Sequence, residues 1–248
     1  MNKDKIKQDL KIQFESLGKN ISEYEKYVDV FLELALDQNK YFSNQELMDW
    51  FKNLREKCTI KLKEKEVKDL KDWKILDSGE IVHNSGGFYS IIGVEVNSAQ
   101  REVKSWDQPM IYQKEMGILG IITTLKDGIR YYILHAKAEP GNIYKLQLSP
   151  TLQATFSNLG LVHGGKKTLF ANYFDNLESK KVLYKQWLAE DGGRFYLKSN
   201  LNVLLDVPDF DFSTLTNEYR PFTFSQIKDF LRFDQLINPH VRSILCHL

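Results

Sequence analysis

The chain has 248 residues, of which 42% are hydrophobic and 12% aromatic, enough apolar material to bury a sizeable core. Its 34 basic and 33 acidic side chains nearly cancel, which excludes the broad one-signed field that holds a nucleic-acid backbone or an anionic membrane, so any anion must be bound locally. Cys58 and Cys246 are too few and too far apart for a disulfide framework or a zinc site, and no stretch has signal-peptide or membrane-spanning character, so reduced thiols and a cytoplasmic location are expected.

Helices open the chain. In YEKYVDVFLELALDQ, Tyr27, Val28, Phe31, Leu32 and Ala35 recur at helical spacing; Ser43 with Glu46 then forms a capping-box pattern ahead of the apolar face of LMDWFKNL. The lysine-rich continuation to Lys71 reads as a solvated face. From Ile75 the period changes to that of strands: ILDSGEIVHNSGGFYSIIGVEV predicts two strands around turn residues, and GILGIITTLKDGIRYYILHAKAE a hairpin closed at Asp127 and Gly128. LYKQWLAEDGGRFYLKSNLNVLLDV predicts a short helix followed by another hairpin-like pair. Thr223 and Gln226 repeat the capping-box pattern before FSQIKDFLRFDQLI, whose Ile227, Phe230, Leu231 and Leu236 return to helical intervals. With no long linker and no internal repeat, the order implies one domain of α+β class, divided into an N-terminal helical extension over 1–72 and a sheet-bearing module over 73–248.

The densest chemistry lies between apolar strands, in HAKAEPGNIYKLQLSPTLQATFSNLGLVHGG at 135–165. Asn142, Gln147, Ser149, Thr151, Gln153, Thr155, Ser157 and Asn158 supply more directional donors and acceptors than core packing requires, and such groups suit a polyhydroxylated ligand. Together with WDQPMIYQKEMGILG at 106–120 and IVHNSGGFYSI at 81–91, this run resembles the NDP-hexose 2,3-dehydratases of deoxysugar biosynthesis, from about Trp73 to the C-terminus. Members of that family usually join two homologous modules related to the Nudix fold. This chain carries one copy of each motif, so a single Nudix-like mixed-sheet module, paired with its own copy as a homodimer, is expected.

The resemblance implies an elimination of water across carbons 2 and 3 of a nucleoside-diphosphate 4-keto-6-deoxyhexose, with a dTDP-linked substrate favoured. The ketone at carbon 4 acidifies the neighbouring proton, so no metal, flavin or nicotinamide is required of the family reaction. What remains for the protein is a base near carbon 3, a donor array near the carbonyl, and an acid for the leaving hydroxyl. Glu115 in QKEMG and Glu139 in KAEPGN are both candidates for the base. Lys137 shares strand parity with Glu139, which suits either enolate stabilisation or an internal ion pair. His83, in HNSGG, and His163, before Gly164 and Gly165, are candidate acids. His135 stands where the family more often has glutamine.

Around these, Gly86, Gly87, Gly164 and Gly165 open the backbone to a pyrophosphate, Ser85 is a further candidate substrate contact, and Arg194 completes the charge balance, while Lys198 reads more simply as a solvated side chain. Trp106, Gln108 and Gln113 form a platform for base or sugar; Trp73 and Trp187 read as packing residues. Nucleophilic and zinc-dependent hydrolysis lack their motifs, since there is no GxSxG elbow and no histidine or cysteine pair at ligand spacing. The alternative from another class is a nucleotide-sugar-binding module without turnover.

Overall fold

In the computed structural model, which describes residues 3–36, 41–156 and 168–247, the capping box at Ser43 is formed. The Ser43 hydroxyl accepts from the Glu46 amide at 3.2 Å and the Glu46 carboxylate accepts from the Ser43 amide at 2.7 Å. This starts helix α3 (Asn44–Lys57), which follows α1 (Lys3–Ser16) and α2 (Glu25–Leu36). On α2 the helical spacing turns Val28 and Leu32 inward and leaves Phe31 exposed. No described helix is long and apolar enough to cross a membrane.

The strands form two sheets. A four-stranded antiparallel sheet takes β1 (Trp73–Ile75), β2 (Ile81–His83), β3 (Ser90–Asn97) and β4 (Ser105–Tyr112) in chain order. The seven-stranded sheet contains β5 (Gly117–Lys126), β6 (Ile129–Ala138), β7 (Leu146–Ser149), β8 (Leu152–Thr155), β9 (Lys181–Ala189), β10 (Ser199–Asp206) and β11 (Tyr219–Phe222). Its order is β11-β6-β5-β10-β9, with β10 parallel to β5 and the other pairs antiparallel. The β5–β6 hairpin closes at Asp127 and Gly128, both at positive φ (52° and 76°), the two-residue turn whose twist matches its strands.

Midway along this hairpin the two strands part. They pair from Lys126↔Ile129 to Thr123↔Tyr132; beyond that β8 takes over the edge of β5 and β7 that of β6. The corner at Thr151 fills the fork. Its buried hydroxyl accepts from the Ile122 amide at 2.9 Å and donates to the Ile133 carbonyl.

Because β5 and β6 are covered on both faces, their alternate residues feed two separate core clusters. Leu119, Ile121, Leu134, Ala136 and Leu148 meet Leu47 and Phe51 of α3, Ile227 and Phe230 of α4 (Phe224–Phe230), and Val241 and Ile244 of α5 (Pro239–Leu245). Ile118, Ile122, Ile133 and Leu152 meet Phe170, Phe174, Phe210 and Tyr219 on the other side. The second capping box, Thr223 with Gln226, starts α4 as read from sequence.

Two predicted elements are corrected, the first being the helix expected to run through Leu236, which ends at Phe230. LYKQWLA was expected to be a short helix and is strand β9, paired along its length with β10. Its residues favour helix locally, but a full ladder of hydrogen bonds to β10 outweighs propensities of a few tenths of a kcal/mol per residue.

Candidate active site

His83 ends β2 at the start of a tight turn. The Ser85 amide donates to its Nδ1 at 3.1 Å, the Ser85 hydroxyl lies 2.7 Å from the same nitrogen, and the Gly87 amide donates to that hydroxyl at 3.2 Å. Accepting at Nδ1 assigns the proton of the neutral ring to Nε2. Gly86, at φ 67°, takes the left-handed conformation that lets the turn close. Trp73 and Phe88 stand edge-on to the imidazole, with centroids 5.4 and 4.5 Å away.

This turn forms one wall of a cavity of about 390 Å³; the other wall is Tyr112, Gln113, Lys114 and Glu115, the segment joining the small sheet to the large one. His83, Gly86, Gln113 and Glu115 are thus brought together, and Ser85 orients the histidine. Behind Glu115 the structure overturns the reading of Lys198. That side chain is buried, 7% exposed, and its ammonium donates to the Glu115 carbonyl oxygen. Burial pushes its pKa down, against the opposing pull of Glu190 and Glu115.

A second group gathers at the fork of the large sheet. Lys137 and Glu139 pair at 2.9 Å with about a quarter of each side chain exposed, and Gln153 donates to the same carboxylate oxygen at 3.3 Å. His135, two residues earlier on the face of Lys137, stacks on Tyr219 with centroids 4.2 Å apart. Burial and then the Lys137 charge pull its pKa down to about 4, whereas burial drives that of Tyr219 up to about 12. The register sets Ser149 opposite His135, and the Ser149 Oγ and the Gln153 Oε1 are buried without a hydrogen-bond partner.

Other expected ligand contacts are taken up by the fold. Thr151 holds the strand fork through a hydroxyl already bonded on both sides. Gln147 donates to the Gln235 carbonyl at 3.1 Å and accepts from Asn238 at 3.1 Å, and Asn142 closes the 139–145 turn through the Lys145 carbonyl at 3.2 Å. The Trp106 indole donates to Gln108 at 2.8 Å, and Gln108 to the Gly193 carbonyl at 2.8 Å, so this pair fastens the 191–196 turn to β4. Arg194 is bound to Asp191 at 2.9 Å. Thr155 is half-buried opposite Gly117. Asn158, His163 and Gly164 lie outside the described residues.

The four catalytic candidates therefore fall in two places: His83 and Glu115 at the cavity, Lys137 and Glu139 at the fork. Gln153 stands opposite Leu119, four residues after Glu115, so the Cα atoms of Glu115 and Leu119 lie at most about 14 Å apart.

Residues 44–248 match the model of the NDP-hexose 2,3-dehydratase family. The chain belongs to this family. The match starts well before Trp73, where the motif resemblance begins, and takes in all of α3, whose Leu47 and Phe51 are part of the sheet's own core. A dTDP-4-dehydro-6-deoxy-α-D-glucopyranose 2,3-dehydratase of Amycolatopsis orientalis is 31% identical over 230 residues, 90% of this chain and 48% of that protein. Proteins of the same description from Saccharopolyspora spinosa and Streptomyces violaceoruber are 37% and 36% identical, over 71% and 69% of this chain. The chain spans less than half the length of each, 36% and 38% in the last two. Among solved structures, the NUDIX domain of Shewanella oneidensis NrtR complexed with ADP ribose shares 9% identity with a TM-score of 0.30, covering 53% of this chain and 85% of that one. The α+β class rests on the two sheets and flanking helices themselves.

Within this member of the family, sequence reading missed Lys198 and the aromatic lining from Phe88, Tyr89 and Tyr112. Phe88 and Tyr89 lie inside IVHNSGGFYSI, where their position after a glycine pair was the available signal. Nothing local marks Lys198 as buried, because it follows an exposed leucine in a polar stretch.

Proposed function

We propose that this chain removes water across carbons 2 and 3 of a nucleoside-diphosphate 4-keto-6-deoxyhexose, dTDP-linked by preference, with the reacting ring in the His83–Glu115 cavity. What carries the reading is the coincidence of family membership over residues 44–248 with a glutamate and a histidine lining one cavity. Its volume, about 390 Å³, falls in the range of small-molecule sites. Glu115 takes the proton from carbon 3, and the electron pair passes to the carbon 4 oxygen as an enolate. Collapse of the enolate forms the carbon 2–carbon 3 double bond and expels the carbon 2 hydroxyl, which His83 polarises as a hydrogen-bond donor through Nε2–H and which leaves as water with the proton that Glu115 took from carbon 3. The resulting enol tautomerises to a 3,4-diketo sugar. Gln113 and Tyr112 supply hydrogen bonds to ring hydroxyls.

Lys137 and Glu139 support a different emphasis, because a cation and an anion already neutralised by each other stabilise one strand end more readily than a passing enolate. A binding module without turnover is the second reading this pair favours. Incubation of the purified chain with dTDP-4-keto-6-deoxyglucose separates them: water loss and a diketo product, or its breakdown species, are expected. Tight binding without product from dTDP-, UDP- and GDP-linked ketosugars would identify the binding module. Glu115→Gln is expected to slow turnover by roughly 10² to 10⁴ and Glu139→Gln by much less; the reverse ranking moves the chemistry to the fork.

A homodimer is proposed as well, supported by the edge of β9 that no strand pairs among the described residues, where Leu183 and Trp187 are exposed. A monomer in sedimentation at working concentration rejects it.

A further inference from the structure

Three consecutive residues, Lys198, Ser199 and Asn200, grip three consecutive residues, Glu115, Met116 and Gly117. The Lys198 ammonium donates to the Glu115 carbonyl, the Ser199 hydroxyl lies 3.5 Å from the Met116 sulfur, and the Asn200 Oδ1 accepts from the Gly117 amide at 2.9 Å. Asn200 is itself held, its amide donating to the Glu190 carboxylate. On the far side the Met116 carbonyl accepts from the Phe156 amide at 3.2 Å. A Cβ at position 117 would meet the Ala154 carbonyl oxygen at 2.7 Å, so the two backbones approach as closely as glycine permits.

The arrangement runs against ordinary solvation. Leu197 is 78% exposed while the adjacent lysine is 7% exposed, which puts the hydrocarbon in water and the ammonium in the protein. Leu197 reaches this state at φ 50°, a left-handed conformation that a leucine adopts at a cost. Hydrophobic burial cannot be what selects it. The turn is fixed instead by the Glu190 amide donating to the Lys198 carbonyl at 3.0 Å, at the mouth of the β9–β10 ladder. Glu190 and Glu115 supply the negative charge that keeps the buried ammonium tolerable.

We propose that Lys198, Ser199 and Asn200 are positioning residues that clamp the 115–117 segment and thereby fix the Glu115 carboxylate against the His83 wall of the cavity. The proposal rests on the reading of Glu115 as the base. Residues 113–116 are the connection from the small sheet to the large one, and without the clamp the base would ride on a connecting segment. General base catalysis is sensitive to displacements of about 1 Å, which can cost on the order of a hundredfold in rate.

The test compares Lys198→Met, Lys198→Arg, Asn200→Ala and Glu115→Gln with the wild type on dTDP-4-keto-6-deoxyglucose. Lys198→Met is expected to lower kcat by about a hundredfold with KM changed by less than about threefold, and Lys198→Arg to recover part of the loss. Because the lysine acts through Glu115, the Lys198→Met, Glu115→Gln double variant should be no slower than Glu115→Gln alone. Fully additive losses, or an unchanged kcat in Lys198→Met, overturn the proposal. Should Lys198→Met fail to fold, Asn200→Ala carries the same comparison. Amide hydrogen exchange gives a readout that needs no turnover: the Gly117 amide should exchange faster in Asn200→Ala and in Lys198→Met than in the wild type. If the wild type makes no product, the dehydratase reading falls by itself, and unchanged Gly117 exchange in both variants removes the clamp independently.

Discussion

Replacing Thr151 by valine should unfold this protein far more easily than its size change suggests. The side chain is 1% exposed, and its hydroxyl serves the Ile122 amide and the Ile133 carbonyl at the point where β5 and β6 part. Valine keeps the shape and removes both bonds, leaving a buried donor and a buried acceptor unpaired at about 1–3 kcal/mol each. Partial relaxation of the fork puts the expected loss at about 3 kcal/mol. Thr151→Ser keeps the hydroxyl, loses one methyl, and should cost about 1 kcal/mol. Urea unfolding measures both, through midpoint shifts at constant m. In a chain of this length each kcal/mol lowers Tm by about 2–4 °C, so the valine variant should melt roughly 10 °C below the wild type. Equal losses in the two variants, or a valine variant within about 0.5 kcal/mol of the wild type, would refute the clasp. Affinity of the serine variant for a nucleotide sugar should match the wild type, because the hydroxyl is spent on the backbone.

His135 makes stability depend on pH with a definite sign. Its ring stays neutral in the folded chain down to about 4, against 6.5 for an unperturbed histidine, so between those values the unfolded state binds more protons. Stability should fall as the pH is lowered through that window, by about 3 kcal/mol in full, with no contribution above it. Urea midpoints for wild type and His135→Gln should converge on acidification from neutrality; a constant gap between them counts against the shift. Gly120→Ala would set a methyl 2.1 Å from the ring of Phe174, which is 3% exposed and has nowhere to go, so a loss of about 1–3 kcal/mol is expected from thermal melting. A leucine at 174 should restore part of it; no loss in the single variant would mean that the ring moves freely.

Features governed by neighbours in the chain are legible in the sequence. The boxes at Ser43–Glu46 and Thr223–Gln226, and the Asp127–Gly128 turn, depend on a few adjacent dihedrals and on hydrogen bonds within four residues. The cavity is legible in its parts, since His83, Gly86, Gln113 and Glu115 all sit in motifs. Their grouping is not, and Lys137 and Glu139 were expected beside them. Equally hidden is the fate of the polar run at 142–153. Gln147, Thr151 and Asn142 read as ligand contacts because their side chains are donors and acceptors, yet the tertiary structure spends those groups on its own backbone.

By itself the sequence determined the family, the α+β class, the start of the helices and the residue types available for chemistry, all of which are written in composition, periodicity and short motifs. Only the tertiary structure decided that LYKQWLA is a strand, that Thr151 is a clasp, and that Lys198 is buried behind Glu115. The physical reason is common to the three: each outcome depends on a partner far away in the chain, Leu201 across from Trp187, Ile122 and Ile133 around Thr151, the Glu115 carbonyl over Lys198. Burial and hydrogen bonding act through space, and no local pattern carries the identity of the partner.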